Sequence, residues 1–195
     1  MRLTLLTLGL ATSSVLAQAT VEPLNVPDGA YTVLRFENGT HVYTPTDGSD
    51  PITITREQNQ ARQAKDRRSM LSSPALSKRR TDCWGWQLHN REVDDALAGL
   101  ENYAKDVPMM CSGVRGATTY TSVIFGSTMA YWCINESSRC SYLNRNDVIY
   151  AKGQMDAVCR AYEASWFGWP RSFEIVGKAL ASSDVCMGGM NGKPF

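Results

Sequence analysis

The chain is 195 residues long and 43% hydrophobic, with 20 Lys/Arg against 19 Asp/Glu, two histidines and six cysteines. The formal net charge is +1, but residues 81–195 carry ten Lys/Arg against twelve Asp/Glu, and that faintly acidic balance argues against nucleic-acid or anionic-membrane binding driven by bulk charge. No apolar run reaches the roughly 20 residues that span a bilayer, and two histidines without a Cys-x-x-Cys pair exclude a structural zinc centre of the usual kind.

Residues 1–17 read as a secretory signal. Arg2 supplies the positive charge and Leu3 to Leu10 the apolar run, with small residues at a cleavage position in Val15-Leu16-Ala17 or Ala17-Gln18-Ala19. Residues 18–80 hold no cysteine and no tryptophan. Within them Ala30 to Phe36 is strand-like, Glu37-Asn38-Gly39 is a turn signal, and Thr40-His41-Val42-Tyr43 returns as a second strand. A lone hairpin is marginal in water, so it packs on the cysteine-bearing region or stays loose. Residues 56–80 contain no aromatic residue and few apolar ones. Such a composition buries too little surface to offset the entropy of ordering, and predicts an exposed linker. It ends in Lys78, Arg79 and Arg80. Adjacent cations suit the acidic pocket of a kexin-like processing protease, which makes 18–80 a propeptide and 81–195 the mature domain.

All six cysteines and all five tryptophans follow that triplet. An even cysteine count in a secreted chain implies bridges rather than free thiols. Cys83 to Leu88 reads as an entry strand. Asn90 is placed to cap a helix over Arg91 to Lys105, with Val93, Leu97, Leu100 and Ala104 on its inner face and Val107-Pro108 at its end. Thr118 to Phe125 and Met129 to Ile134 are strands joined at Gly126-Ser127. Asn144 or Asn146 opens a second helix carrying Val148, Ala151, Met155, Cys159 and Tyr162 on one face, broken by Trp166-Phe167-Gly168-Trp169-Pro170. Phe173 to Ala181 is the last strand. The order β-α-β-β-α-β predicts an α+β fold: a split β-α-β sandwich, an antiparallel sheet with two helices on one face, stabilised by disulfides.

Geometry restricts the bridges. About 13 helical residues separate Asn146 from Cys159, roughly 20 Å of helix, which Cys140 cannot fold back across. The expected set is Cys133 with Cys140 in a local loop, Cys83 with Cys186 bracketing the domain, and Cys111 with Cys159 pinning helix to helix. Asn38-Gly39-Thr40 and Asn135-Glu136-Ser137 are acceptor sequons for glycans.

Little in the chain carries catalytic chemistry. His89, the one histidine after the triplet, is followed by Glu92, Asp94 and Asp95. Those charges repel a phosphate, and His89 reads as a strand-end histidine, with use in a small hydrolase as the alternative. A glycosidase needs two carboxylates about 5–9 Å apart. Asp94, Asp95, Glu101 and Glu174 are available, but Asp94 and Asp95 diverge on a helix and all four read as solvated charges. No nucleophile elbow and no phosphate loop is present, and no cofactor or metal is expected. The tryptophans are the better lead. Trp84 and Trp86 alternate onto one side of a strand, and Trp132 sits in the core. Trp166 and Trp169 flank Gly168 at a helix end, where half-exposed rings stack on sugars or anchor protein partners.

A leader, a cysteine-free propeptide ending in Lys-Arg-Arg, and a six-cysteine domain opening Thr81-Asp82-Cys83-Trp84-Gly85 resemble the small secreted cysteine-rich proteins of filamentous fungi. Tyr131-Trp132-Cys133-Ile134-Asn135 with Met155-Asp156-Ala157-Val158-Cys159 fits a strand–helix cysteine framework of that class. The architecture is similar to the α/β-sandwich killer toxins of smut fungi and related necrosis-inducing effectors. The resemblance implies a secreted, monomeric, non-enzymatic effector or toxin acting on a host or microbial protein or a cell-wall glycan. A small nuclease or glycosidase using His89 and a glycan-binding module are the alternatives.

Overall fold

The computed structural model describes residues 26–58, 81–106, 109–113, 117–136, 138–181 and 183–186. The leader and the triplet Lys78, Arg79 and Arg80 lie outside them. Ten strands and two helices lie wholly among the described residues, and residues 56–58 are helical too: β1 Gly29–Phe36, β2 His41–Pro45, β3 Ile52–Ile54, β4 Thr81–Gln87, α1 Asn90–Tyr103, β5 Met110–Cys111, β6 Ala117–Phe125, β7 Thr128–Ile134, β8 Cys140–Ser141, α2 Arg145–Val158, β9 Glu163–Gly168 and β10 Glu174–Leu180. Eight strands form one sheet in the order β3-β2-β1-β6-β7-β10-β9-β4, every neighbouring pair antiparallel. β5 and β8 make a separate two-stranded ribbon. No described helix is long and apolar enough to cross a membrane.

The hairpin forms where its turn chemistry places it. Gly39 takes φ +81°, its N–H donates to the Phe36 carbonyl at 2.9 Å, and the Asn38 side chain accepts from the Thr40 N–H at 2.9 Å. It is not loose. β1 pairs with β6 in register from Gly29↔Ile124 to Phe36↔Ala117, so residues before and after the basic triplet share one sheet. Tyr31, Val33, Tyr43 and Ile54 are buried in a common apolar cluster. Val33 and Ile54 alone contribute about 3–6 kcal/mol, at about 1.5–3 kcal/mol for each fully buried side chain of this size.

The sheet is buried on both sides, and β7 at its middle shows why. All seven of its residues are buried. Ala130 and Trp132 face the helices, while Met129, Tyr131 and Cys133 face the opposite cluster. Both helices lie on one face. α1 contributes Val93, Ala96, Leu97 and Leu100 at helical spacing, and α2 contributes Val148, Ala151 and Met155. On the other face runs the C-terminal segment, with Ala181, Val185 and Cys186 in the apolar cluster of Tyr31 and Val33. Gly177 of β10 lies against the Tyr131 ring, and any side chain there would collide with it.

Local expectations need three corrections. Asn90 is the first residue of α1 and not its cap: His89 occupies the cap position and makes no side-chain cap bond. α2 starts from Asn144 with a full capping box to Asp147, but it ends at Val158. Cys159 is extended and Tyr162 has φ +64°, so neither rides on the helix. Residues 163–168 are then strand β9, paired with β10 on one side and β4 on the other. A run buried on both faces has no alternation to announce it. β7 and β9 both pair antiparallel with β10, so they run the same way, and α2 joins them. β4, expected as an entry strand, is a sheet edge.

All six cysteines are bridged, in a pairing different from the expected one: Cys83–Cys159, Cys111–Cys140 and Cys133–Cys186. Cys140 is not available to Cys133 because it sits directly opposite Cys111 across the β5–β8 ribbon. Cys133 points to the sheet face away from the helices, where only the C-terminal segment brings a cysteine. Cys83 is left to fasten edge strand β4 to the end of α2. None of the bridges reaches residues 26–58.

Candidate functional site

The surface with the most chemistry lies where the first turns of α2 meet the β9–β10 loop. The capping box fixes the helix start: the Asn144 side chain accepts from the Asp147 N–H and the Asp147 carboxylate accepts from the Asn144 N–H, both at 3.1 Å. Tyr150 follows Asp147 by three residues and so lies one turn along the same side. Its residue is 53% exposed. Its ring meets Phe167 edge-on at 5.6 Å, and Phe167 meets Trp169 edge-on at 5.1 Å. Phe167 is buried, so it forms a floor from which Tyr150 and half-exposed Trp169 rise. Tyr142 and Ile149 are also exposed beside the start of α2.

The loop is held by its own backbone. The Ser172 N–H donates to the Trp169 carbonyl at 3.1 Å, and Arg171 adopts φ +59°. The Glu174 N–H donates to the Ser172 hydroxyl at 3.1 Å, and the Arg139 guanidinium lies 5.1 Å from the Phe173 ring centre. Glu174 is half-buried and its Oε1 has no hydrogen-bond partner among the described residues. Burial raises its carboxyl above the ordinary range, the negative charge of Asp147 raises it further, and the Ser172 hydroxyl opposes both. The face therefore presents two rings, Tyr150 and Trp169, able to stack on a ligand over Phe167.

The remaining polar clusters fasten elements together. Lys178 is 1% exposed and its Nζ donates to Asp156 Oδ1 at 2.7 Å, tying β10 to α2. Tyr162 donates to Asp94 at 3.3 Å, and Lys152 stands 3.9 Å from the same carboxylate. Nearness to Asp94 is the first cause of a raised Tyr162 phenol pKa. Glu92 clamps the β6–β7 turn: its Oε2 accepts from the Ser127 N–H at 2.9 Å, the Ser127 hydroxyl at 2.8 Å and the Thr128 hydroxyl at 3.1 Å.

Among the residues singled out from the sequence, Trp166 needs correcting. It is 6% exposed, inside the cluster on the helix-free face, because β9 continues through it. Trp169 is half-exposed. Trp84 and Trp86 stack edge-on at 5.8 Å on one side of β4, and Trp132 is fully buried. The His89 side chain is 66% exposed, 3.9 Å from a Glu92 oxygen. Asp95 pairs with Arg91 and Glu101 with Arg145, so the α1 carboxylates do not converge. Asn38 is exposed at the hairpin turn. Asn135 is 5% exposed, and its backbone N–H donates to the Phe173 carbonyl at 2.7 Å. Tyr150 and Asp147 are not among the residues that the sequence singles out. Their signal lies in Asn144-x-x-Asp147 and in the position of Tyr150 beside, not among, the inner-face residues Val148 and Ala151. No family model, no curated protein and no solved structure matches the chain.

Proposed function

We propose that this is a secreted effector- or toxin-like protein, released from a proprotein at Lys78-Arg79-Arg80, that acts by binding a component of a host or a competing microbe. The observation that carries the reading is the full pairing of all six cysteines, which calls for an oxidising, extracytosolic compartment. The class reading includes a split β-α-β core, and the β7–α2–β9 connection around β10 supports one such unit. The test is to apply the purified, oxidised protein to plant tissue and to competing fungi. Cell death, an immune response or growth inhibition is expected, and inactivity in every assay overturns the reading.

A second reading is favoured by the ring pair over Phe167: the contact is a cell-wall glycan stacked on Trp169 and Tyr150. Tryptophan fluorescence should then be quenched by chitin or β-glucan oligomers in the native protein. Trp169→Ala should abolish that quenching in a protein that still unfolds cooperatively, with a thermal midpoint lowered by the lost packing on Phe167. Quenching that survives the substitution removes this face as the contact.

A further inference from the structure

The geometry points to a two-chain molecule: once the chain is cut anywhere between Gln58 and Thr81, residues 26–58 stay bound to residues 81–186 without a covalent link. This rests on the processing reading for its biological occasion, but not for its physics.

The interface is a full strand ladder. β1 matches β6 over eight consecutive positions, and β2 and β3 continue the sheet outward. Tyr31 and Val33 of β1 and Tyr43 of β2 are buried in the same cluster as Tyr120 and Ile124 of β6. Polar contacts reinforce the seam from a second direction. Tyr120 Oη lies 3.4 Å from His41 Nδ1; His41 Nε2 lies 3.4 Å from Asp184 Oδ1 but makes no hydrogen bond among the described residues. Arg35 Nε stands 3.3 Å from that same Asp184 oxygen, and the Tyr43 hydroxyl reaches the Ala181 carbonyl at 3.5 Å. The Cys133–Cys186 bridge anchors the segment that carries Asp184 and Ala181. The amino-terminal strands are thus held by β6 along one edge and by the fastened C-terminal segment across one face.

Release would leave a nine-residue strand with an unpaired edge and uncover Tyr120, which is fully buried. Long apolar edges are what folded proteins avoid exposing. A cut also disturbs none of the described pairing. β3 and β4, the strands nearest the cut on either side, are the opposite edges of the sheet. Residues 26–58 contain no cysteine, so among the described residues the two pieces are held together by non-covalent contacts alone.

The experiment uses the full chain with Lys78-Arg79-Arg80 replaced by the recognition sequence of a site-specific viral protease. After complete nicking, both fragments should elute as one species on native size exclusion at micromolar concentration. They should separate in denaturant without any reductant. A folded C-terminal fragment eluting free of its partner overturns the proposal. Val33→Asp in the same chain should release the amino-terminal fragment, and retention despite that change shows that this seam is not what holds it. N-terminal sequencing of the unmodified secreted protein reports separately on processing: a chain uncut before Thr81 defeats that reading and leaves the retention result standing.

Discussion

The amino-terminal wing, β1 to β3, and the region from Thr81 onward contribute to one sheet, yet they are secured by different physics. The later region is fastened by three bridges, two helices and a capping box. The wing has none of these. It depends on ladder hydrogen bonds, on four buried apolar side chains and on polar contacts to Asp184. Covalent fastening restricts the unfolded chain wherever it forms, whereas ladder and burial act only in the folded state. The difference teaches that cysteine distribution marks where cross-links lie and does not mark where the folded body ends.

The largest test of that contrast removes the bridge nearest the wing. Cys133→Ala with Cys186→Ala opens a loop of 53-residue separation, for which the chain-entropy model gives about 4 kcal/mol. Denaturant unfolding should show this loss, and hydrogen exchange should rise in β1 and β2 because the segment carrying Asp184 is no longer anchored at Cys186. Unchanged exchange in the wing would show that the C-terminal segment does not help to hold it. Val33→Ala is next. It removes a fully buried side chain from the wing and should cost about 2 kcal/mol, with the extra exchange confined to β1–β3 and β6.

Asn144→Ala attacks the other region by deleting the side-chain half of the capping box, for about 1 kcal/mol. Thermal melting should drop slightly and exchange in the wing should not change. Glu174→Gln has the smallest effect and a defined pH signature. Burial and Asp147 raise the carboxyl pKa in the folded state, so the folded protein binds the proton more tightly than the unfolded chain. Stability therefore falls as pH rises from the ordinary carboxylate range through the folded pKa, and the full penalty is present above it. The Gln variant should be more stable than the parent at neutral pH and should lose that dependence. Denaturant midpoints across acid to neutral pH would measure both.

Legibility followed local physics. The β1–β2 hairpin could be read because Asn38-Gly39 sets its turn, and α1 because Val93, Leu97 and Leu100 repeat at helical spacing. β9 could not: Ala164 to Gly168 are buried on both faces, so the period that separates strand from helix is missing. The expectation of a half-exposed Trp166 fails for that same reason. The bridge pairing was unreadable because it follows from which sheet face Cys133 addresses and from the β5–β8 register. The site was half legible. Trp169 stood out by its neighbours Gly168 and Pro170, while Tyr150 acquired meaning only when Phe167 came to lie beneath it.

The residues by themselves determined an oxidisable, cysteine-bearing region behind a cysteine-free one, both helices, the hairpin and four of the longer strands, since turn chemistry, capping and periodicity act over a few neighbouring positions. Only the tertiary structure decided that the cysteine-free strands complete the same sheet, which cysteines meet, and that Trp169 and Tyr150 meet over Phe167. Those outcomes depend on contacts between positions far apart in the chain, where the gain comes from burying surfaces that no local pattern pairs in advance.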